Sequence, residues 1–395
     1  MRSGVGGRST VVAAVAVLLA ACGADPGGGE DADRWRTDYV SASRAMSLWN
    51  LVAVSADEGW AVAMEHNAES TVYTLLHRDG ADWQNAPMPP ALRWEGGAEI
   101  SELAASGPDN VWLFGRLAAD EIARDPQQGA MRWDGQRWIR MAADFTVREA
   151  VAVAPDDVWA LDASTPEPVA HHWDGARWDA TALPADHLDS LAASGQDDVW
   201  ASGQAGGQPA IAHFDGQRWQ PMEVPEFPLA EGETARISDI VSVSRDEAWA
   251  FGAVTATATT AGPDQSYTAF ALRWNGEAWQ KQPDAFDNSE KQTPPNSALL
   301  ATGDGAGGFV LASAFGTEQH RTREGARRVI RDPEPVAGRT DEITEVDRRQ
   351  HVELHDLQLV PGTREIWGVG AVGVSPLPPG EQYTRGVVVS YSADR

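Results

Sequence analysis

The sequence predicts an all-β fold: a β-propeller, a closed ring of seven four-stranded antiparallel blades, completed by a strand from near the N-terminus. Three observations point there. A Trp-marked unit recurs along the chain, with marks 52, 47, 41, 49, 60 and 58 residues apart. Within each unit, strand-length stretches of alternating apolar character are divided by D-G or N-G pairs, whose turn needs a positive φ. Composition agrees: 17 Trp against 5 Tyr, with 38 Gly and 24 Pro in 395 residues, favours short strands joined by tight turns.

The chain opens on Arg2 and Arg8, followed by the apolar stretch Val11 to Ala20, which is too short to span a bilayer needing roughly 20 residues. It ends in Leu19, Ala20, Ala21 and Cys22, the only cysteine in the chain. A lone Cys excludes an internal disulfide framework. This segment resembles the lipobox of bacterial lipoproteins. The resemblance implies a signal peptide over 1–21 and a Cys22 that carries diacylglycerol and a fatty acyl chain such as palmitate. An ordinary secretory signal with a chance Cys is the alternative. Residues 22–32 are Gly-rich and acidic, which predicts a flexible tether to a propeller domain over 33–395. The expected location is extracytoplasmic, lipid-anchored to the cell membrane.

The first half of each unit is an apolar alternation, an acidic turn and a Trp. It runs from Leu51 to Trp60, Leu103 to Trp112, Ala150 to Trp159, Leu191 to Trp200 and Ile240 to Trp249. Two weaker copies place Phe309 and Trp367 at the mark. The second half is a turn flanked by aromatics five residues apart: Trp133 and Trp138, Trp173 and Trp178, Phe214 and Trp219, Trp274 and Trp279. Pairing across such a hairpin puts both rings on one face. For the fifth unit the predicted strands are 240–244, 248–254, 268–274 and 278–282. The sixth unit is degraded, so six blades is the competing count. Residues 317–350 are charged and poor in apolar residues, which predicts one long excursion from that blade. It carries positive charge in Arg321, Arg323, Arg327, Arg328 and Arg331. The C-terminal stretch from Val387 supplies a third strand without a fourth. Asp33, Arg34 and Trp35 look like the missing hairpin half, with Trp35 near Tyr391. Such closure leaves no free edge.

These repeats resemble the kelch, galactose-oxidase-like and BNR-like propellers of exported bacterial proteins. The resemblance covers about residues 33–395 and implies architecture more than activity. Ser55 to Trp60 is similar to the sialidase Asp-box but lacks its Thr, and its Trp comes too early. No arginine triad for a carboxylate stands out, and nothing corresponds to the copper ligands of galactose oxidase.

The formal charge of −27 argues against nucleic acid, whose phosphates need clustered Lys and Arg. Links between second and third strands, and those between blades, vary in length and share one face of a propeller, so a binding site is expected there. Ten or eleven residues before each Trp stand Asn50, Glu102, Glu149, Asp189, Asp239 and Asp356. Radial symmetry gathers these at the channel mouth, where they could meet Ca2+ or a Lys- or Arg-bearing partner, or simply be solvated polar strand starts. Trp49 and Trp94 lie outside the structural columns, as ligand-stacking or loop-packing residues. The paired acids Asp156 and Asp157, Asp197 and Asp198, Asp246 and Glu247 read as turn formers bonded to backbone amides. His351 and His355 do not form the HExxH pattern of zinc peptidases, and His171 and His172 sit beside a structural Trp. No nucleophile elbow, phosphate loop or Cys-His cluster is present.

Two functions follow. The first is a non-enzymatic binding or scaffold module for a protein or envelope component, acting as a monomer with no required cofactor. The second is a carbohydrate-binding or carbohydrate-active propeller (lectin, lyase or glycosidase), since paired carboxylates suffice for glycoside chemistry.

Overall fold

A computed structural model of the chain describes residues 33–66, 71–92, 99–117, 127–256, 267–285, 299–313, 318–374 and 382–394. The leader, Cys22 and the tether lie outside the described residues, as does Trp94. Seven four-stranded antiparallel sheets follow one another along the chain, so the count is seven and not six. Blades 1 to 6 span 46–86, 99–141, 147–182, 187–221, 233–281 and 299–330. In each, the strands pair in sequence order from the channel outward. Blade 7 takes three strands from the C-terminal end and its outermost from the N-terminal side. Arg36–Val40 pairs with Arg385–Ser392, with Arg36 opposite Ser390. Trp35 is fully buried, with its ring 5.8 Å from Tyr391 at 61°. The ring closes as the sequence predicts.

Blades hold together through the Trp column. Trp60 of blade 1 enters the aromatic hairpin of blade 2, with ring centroids 5.5 Å from Trp133 and 5.4 Å from Trp138. Trp112 meets Trp173 and Trp178 in the same way, and Trp200 meets Trp274 and Trp279. The D-G turn builds the hairpin. Gly175 and Gly216 both have φ of 90°, and the Asp before each accepts the two amides that follow the glycine. Blades 1 and 6 place arginine where the others have the first aromatic. Arg78, paired with Trp83, lies 4.9 Å from the ring of Trp367, and Arg321, paired with Arg327, lies 5.9 Å from that of Trp249. A guanidinium over the neighbouring Trp thus substitutes a cation–π contact for a ring pair.

That substitution explains one departure from the sequence reading. Within the stretch predicted to be a long excursion, Glu318–Arg321 and Arg327–Ile330 form the outer two strands of blade 6. Only 331–350 is a link, and it is anchored: buried Asp347 accepts a hydrogen bond of 2.7 Å from the Tyr383 hydroxyl. The paired acids also differ from expectation. The second acid of each pair takes a basic side chain from the third strand rather than only backbone amides. His172 Nε2 lies 2.8 Å from Asp157, His213 Nε2 lies 2.7 Å from Asp198, and Arg273 pairs with Glu247. His172 and His213 stack on Trp159 and Trp200 at centroid distances of 4.0 and 3.9 Å. Acid, base and Trp therefore form a repeated structural stack.

Candidate functional site

The first strand of every blade lines a central cavity of about 560 Å³. In six of those strands a β-bulge interrupts pairing near the start, and in each of the six the same position follows it. Register shifts between Leu48 and Asn50, Ile100 and Glu102, Val147 and Glu149, Leu188 and Ser190, and Ile237 and Asp239. The first strand of blade 7 shifts likewise between Leu354 and Asp356. Two layers result. The post-bulge layer contains Asn50, Glu102, Glu149, Ser190, Asp239 and Asp356, all lining the cavity. The bulge layer above it contains Trp49, Ser101, Arg148, Asp189, Ser238 and His355.

Four predicted acids and Asn50 therefore come together, whereas Asp189 does not join them. Counting back eleven residues from Trp200 selected the bulge residue, and the ring position of blade 4 is Ser190. Asp189 instead faces the rim, where it pairs with Arg236 and lies 2.9 Å from His187 Nε2 and 3.8 Å from Arg148. The sequence carries a signal for the bulge. Gly115, Gly203, Gly252 and Gly370 stand three residues after their Trp, and a Cβ there would lie 1.9–2.2 Å from a carbonyl oxygen of the first strand. Glycine permits the close crossing that ejects one residue toward the mouth.

Two of the four ring carboxylates join neighbouring blades. Asp356 accepts the amides of Leu357 at 2.7 Å and of Leu51, in blade 1, at 2.8 Å. Asp239 accepts the amides of Ile240 at 2.8 Å and of Ala301, in blade 6, at 2.7 Å, and the Ser190 hydroxyl at 3.1 Å. Asn50 donates across to the carbonyl of Ser101. Enclosure raises the pKa of Asp239 and of Asp356 to about 7. Glu102 is pushed well above its ordinary value by burial and by Asp356, and Glu149 by burial and then by Glu102, Asp239, Asp356 and Asp189. Among the described residues no three His, Cys, Asp or Glu side chains stand close enough to share a metal ion. Six to eight oxygens for Ca2+ are not assembled by these groups.

Above the acids the mouth is aromatic. Trp49 is 43% exposed and stacks on His355 with centroids 4.1 Å apart and planes 14° apart. Its indole N–H is held by Ser47 at 2.8 Å, and His355 Nδ1 lies 2.7 Å from the Leu48 carbonyl. Both rings are fixed before any ligand arrives. His351, at the other end of the His pair, is exposed at the strand start and takes no part.

No family profile matches the chain, and no curated protein matches it in sequence. Its fold is similar to those of solved propellers. A structure described as YCF48 bound to D1 peptide is 12% identical over 93% of this chain and 100% of that one, with a TM-score of 0.50. U3-55K is 10% identical over 91% and 99%, with a TM-score of 0.53. The RRP9 WD40 repeats are 9% identical over 90% and 100%, with a TM-score of 0.52. Identities this low speak to the fold alone: a seven-bladed β-propeller.

Proposed function

We propose that this protein is a lipid-anchored, extracytoplasmic binding module that holds a segment of a partner protein across the channel mouth. The observation that carries this reading is the fixed, exposed Trp49–His355 stack over a cavity ringed by carboxylates. Exposed aromatic planes anchor partner side chains at low entropic cost. Carboxylates beneath select a partner segment bearing Lys or Arg, because a cation entering the cavity relieves the mutual repulsion of Glu102, Glu149, Asp239 and Asp356. A propeller of this fold, YCF48, is described with a peptide bound, which supports the class of ligand. In this reading 1–21 is a leader, Cys22 bears the lipid, 22–32 is the tether and 33–395 the binding domain. The carbohydrate-active alternative would have to use Glu102 and Glu149, since Asp239 and Asp356 are spent on backbone amides of neighbouring blades.

The test is photo-cross-linking in intact cells with p-benzoylphenylalanine in place of Trp49. We expect one discrete protein adduct, which Glu102→Gln together with Glu149→Gln weakens about tenfold. Adducts with glycan only, or no adduct from a correctly exported protein, would count against it. Metabolic labelling with a palmitate analogue, lost in Cys22→Ala, checks the anchor separately.

A further inference from the structure

The outer edge of blade 6 differs from the other blade edges. Its last strand, Arg327–Ile330, carries two arginines, and Arg331 follows directly. The outer strands of blades 1 to 5 carry at most one basic residue each: none in Asp82–Ala86, Trp178–Ala182 or Trp219–Pro221, Arg140 in Trp138–Met141, and Lys281 in Trp279–Lys281. Side chains alternate along a strand, so Arg327, Val329 and Arg331 share one outward side while Ile330 is buried. Val329 is 58% exposed. Neither Arg327 nor Arg331 forms an ion pair with a described residue, whereas Arg328 lies 3.7 Å from Asp33 and Arg34 lies 2.9 Å from Glu334.

Charge on an edge strand guards against strand addition, and either sign serves that purpose. In a chain with 58 acids and 31 basic residues, three arginines flanking an exposed valine ask for more than a guard. Position supplies it. The Trp35 amide donates to the Arg331 carbonyl at 3.0 Å, and the Arg331 amide donates to Asp33 at 2.9 Å. The basic edge is therefore the place where the chain leaves the propeller toward Cys22, eleven residues further back (22–32). Such a stretch spans at most about 40 Å.

We infer that the blade 6 edge around Arg327, Val329 and Arg331 is a docking surface for an anionic lipid bilayer, which turns the rim of the ring toward the membrane and leaves the channel mouth free. This rests on the anchor reading given above. The acidity of the remaining surface does not prevent it, because at physiological salt a charge farther than about 8 Å away is largely screened. Each arginine at an anionic surface is worth about fivefold in occupancy.

The chain from Cys22 to Arg395 is coupled through its single thiol to a maleimide lipid in preformed vesicles, with p-benzoylphenylalanine at position 329 or, as a control, at the exposed Ile139 of blade 2. With vesicles containing phosphatidylglycerol, we expect lipid adducts at 329 to exceed those at 139 at least fivefold. The excess should vanish in pure phosphatidylcholine, in 1 M salt and in Arg327→Glu with Arg331→Glu. Equal labelling at the two sites, or labelling at 329 indifferent to lipid charge and to both substitutions, overturns the docking surface. Because the lipid is attached chemically, that outcome is independent of palmitate labelling in cells, whose absence would overturn only the anchor.

Discussion

Carboxylates around the channel keep their protons at pH values where free acids have lost them. Burial raises Asp239 and Asp356 from 3.8 to about 7, so between about pH 4 and pH 7 the folded chain binds protons that the unfolded chain has released. The stability these groups contribute is present in full below about pH 4 and is lost as pH rises through 7. Glu149 is the clearest handle, because four other acids press on it. Glu149→Gln should raise the melting temperature more at pH 8 than at pH 5, because burial and the neighbouring acids hold the native carboxyl neutral to higher pH than a free acid. Calorimetry at the two pH values checks this, and an equal shift at both would show that packing rather than charge is responsible. Much of this ring was legible in the sequence. Asn50, Glu102, Glu149 and Asp239 all lie ten residues before a Trp, because the intervening turn has a fixed length. Asp189 differs because a spacing of ten or eleven admits both it and Ser190, and the bulge between Leu188 and Ser190 puts the serine in the ring. Sequence chemistry and strand register pointed to different residues, and register decided.

At the scale of a strand, the bulge does the positioning. Gly203 crosses the first strand of blade 4 so closely that a Cβ would lie 2.1 Å from the His187 carbonyl oxygen and 2.8 Å from the Leu188 Cα. Both obstacles are backbone, so the strand itself must move. Gly203→Ala should cost about 2–3 kcal/mol in urea unfolding, more than a surface substitution costs. It should also disturb Ser190 and its bond to Asp239, visible as faster amide exchange at Ile240. A loss below about 0.5 kcal/mol would mean the crossing is looser than described. Blade 6 was the element hardest to read. With Arg321 and Arg327 at the hairpin positions, its outer strands lost both the aromatic pair and the apolar alternation. The contact that replaces them, a guanidinium over Trp249, joins residues of different blades and leaves no local pattern.

For the molecule as a whole, closure rests on one short strand. Arg36–Val40 covers Arg385–Ser392, whose central valines are fully buried. Trp35→Ala should cost about 3–5 kcal/mol, in line with other buried Trp truncations. Removing residues 33–40 should do more, since it bares a valine-rich edge that invites strand addition between molecules. Light scattering after size exclusion should then show a shift to larger species relative to the intact domain. A truncated chain of unchanged size class and stability would mean that another segment covers the edge. Closure was readable from the sequence because a third strand without a fourth, and a hairpin half without its partner, stood at opposite ends of the chain.

The same latch sets an order of events in time. Arg36 and Ser390 lie 354 positions apart, so the first strand of the propeller pairs only once the last is in place. Six blades can assemble from neighbouring segments, whereas the seventh needs strands from both ends of the propeller domain. Were the intervening chain unstructured, joining its ends would cost on the order of 5 kcal/mol in entropy. The blades already formed bring those ends near each other and remove most of that cost. The ring is thus shut from behind, by the propeller strand that comes first in the sequence and pairs last.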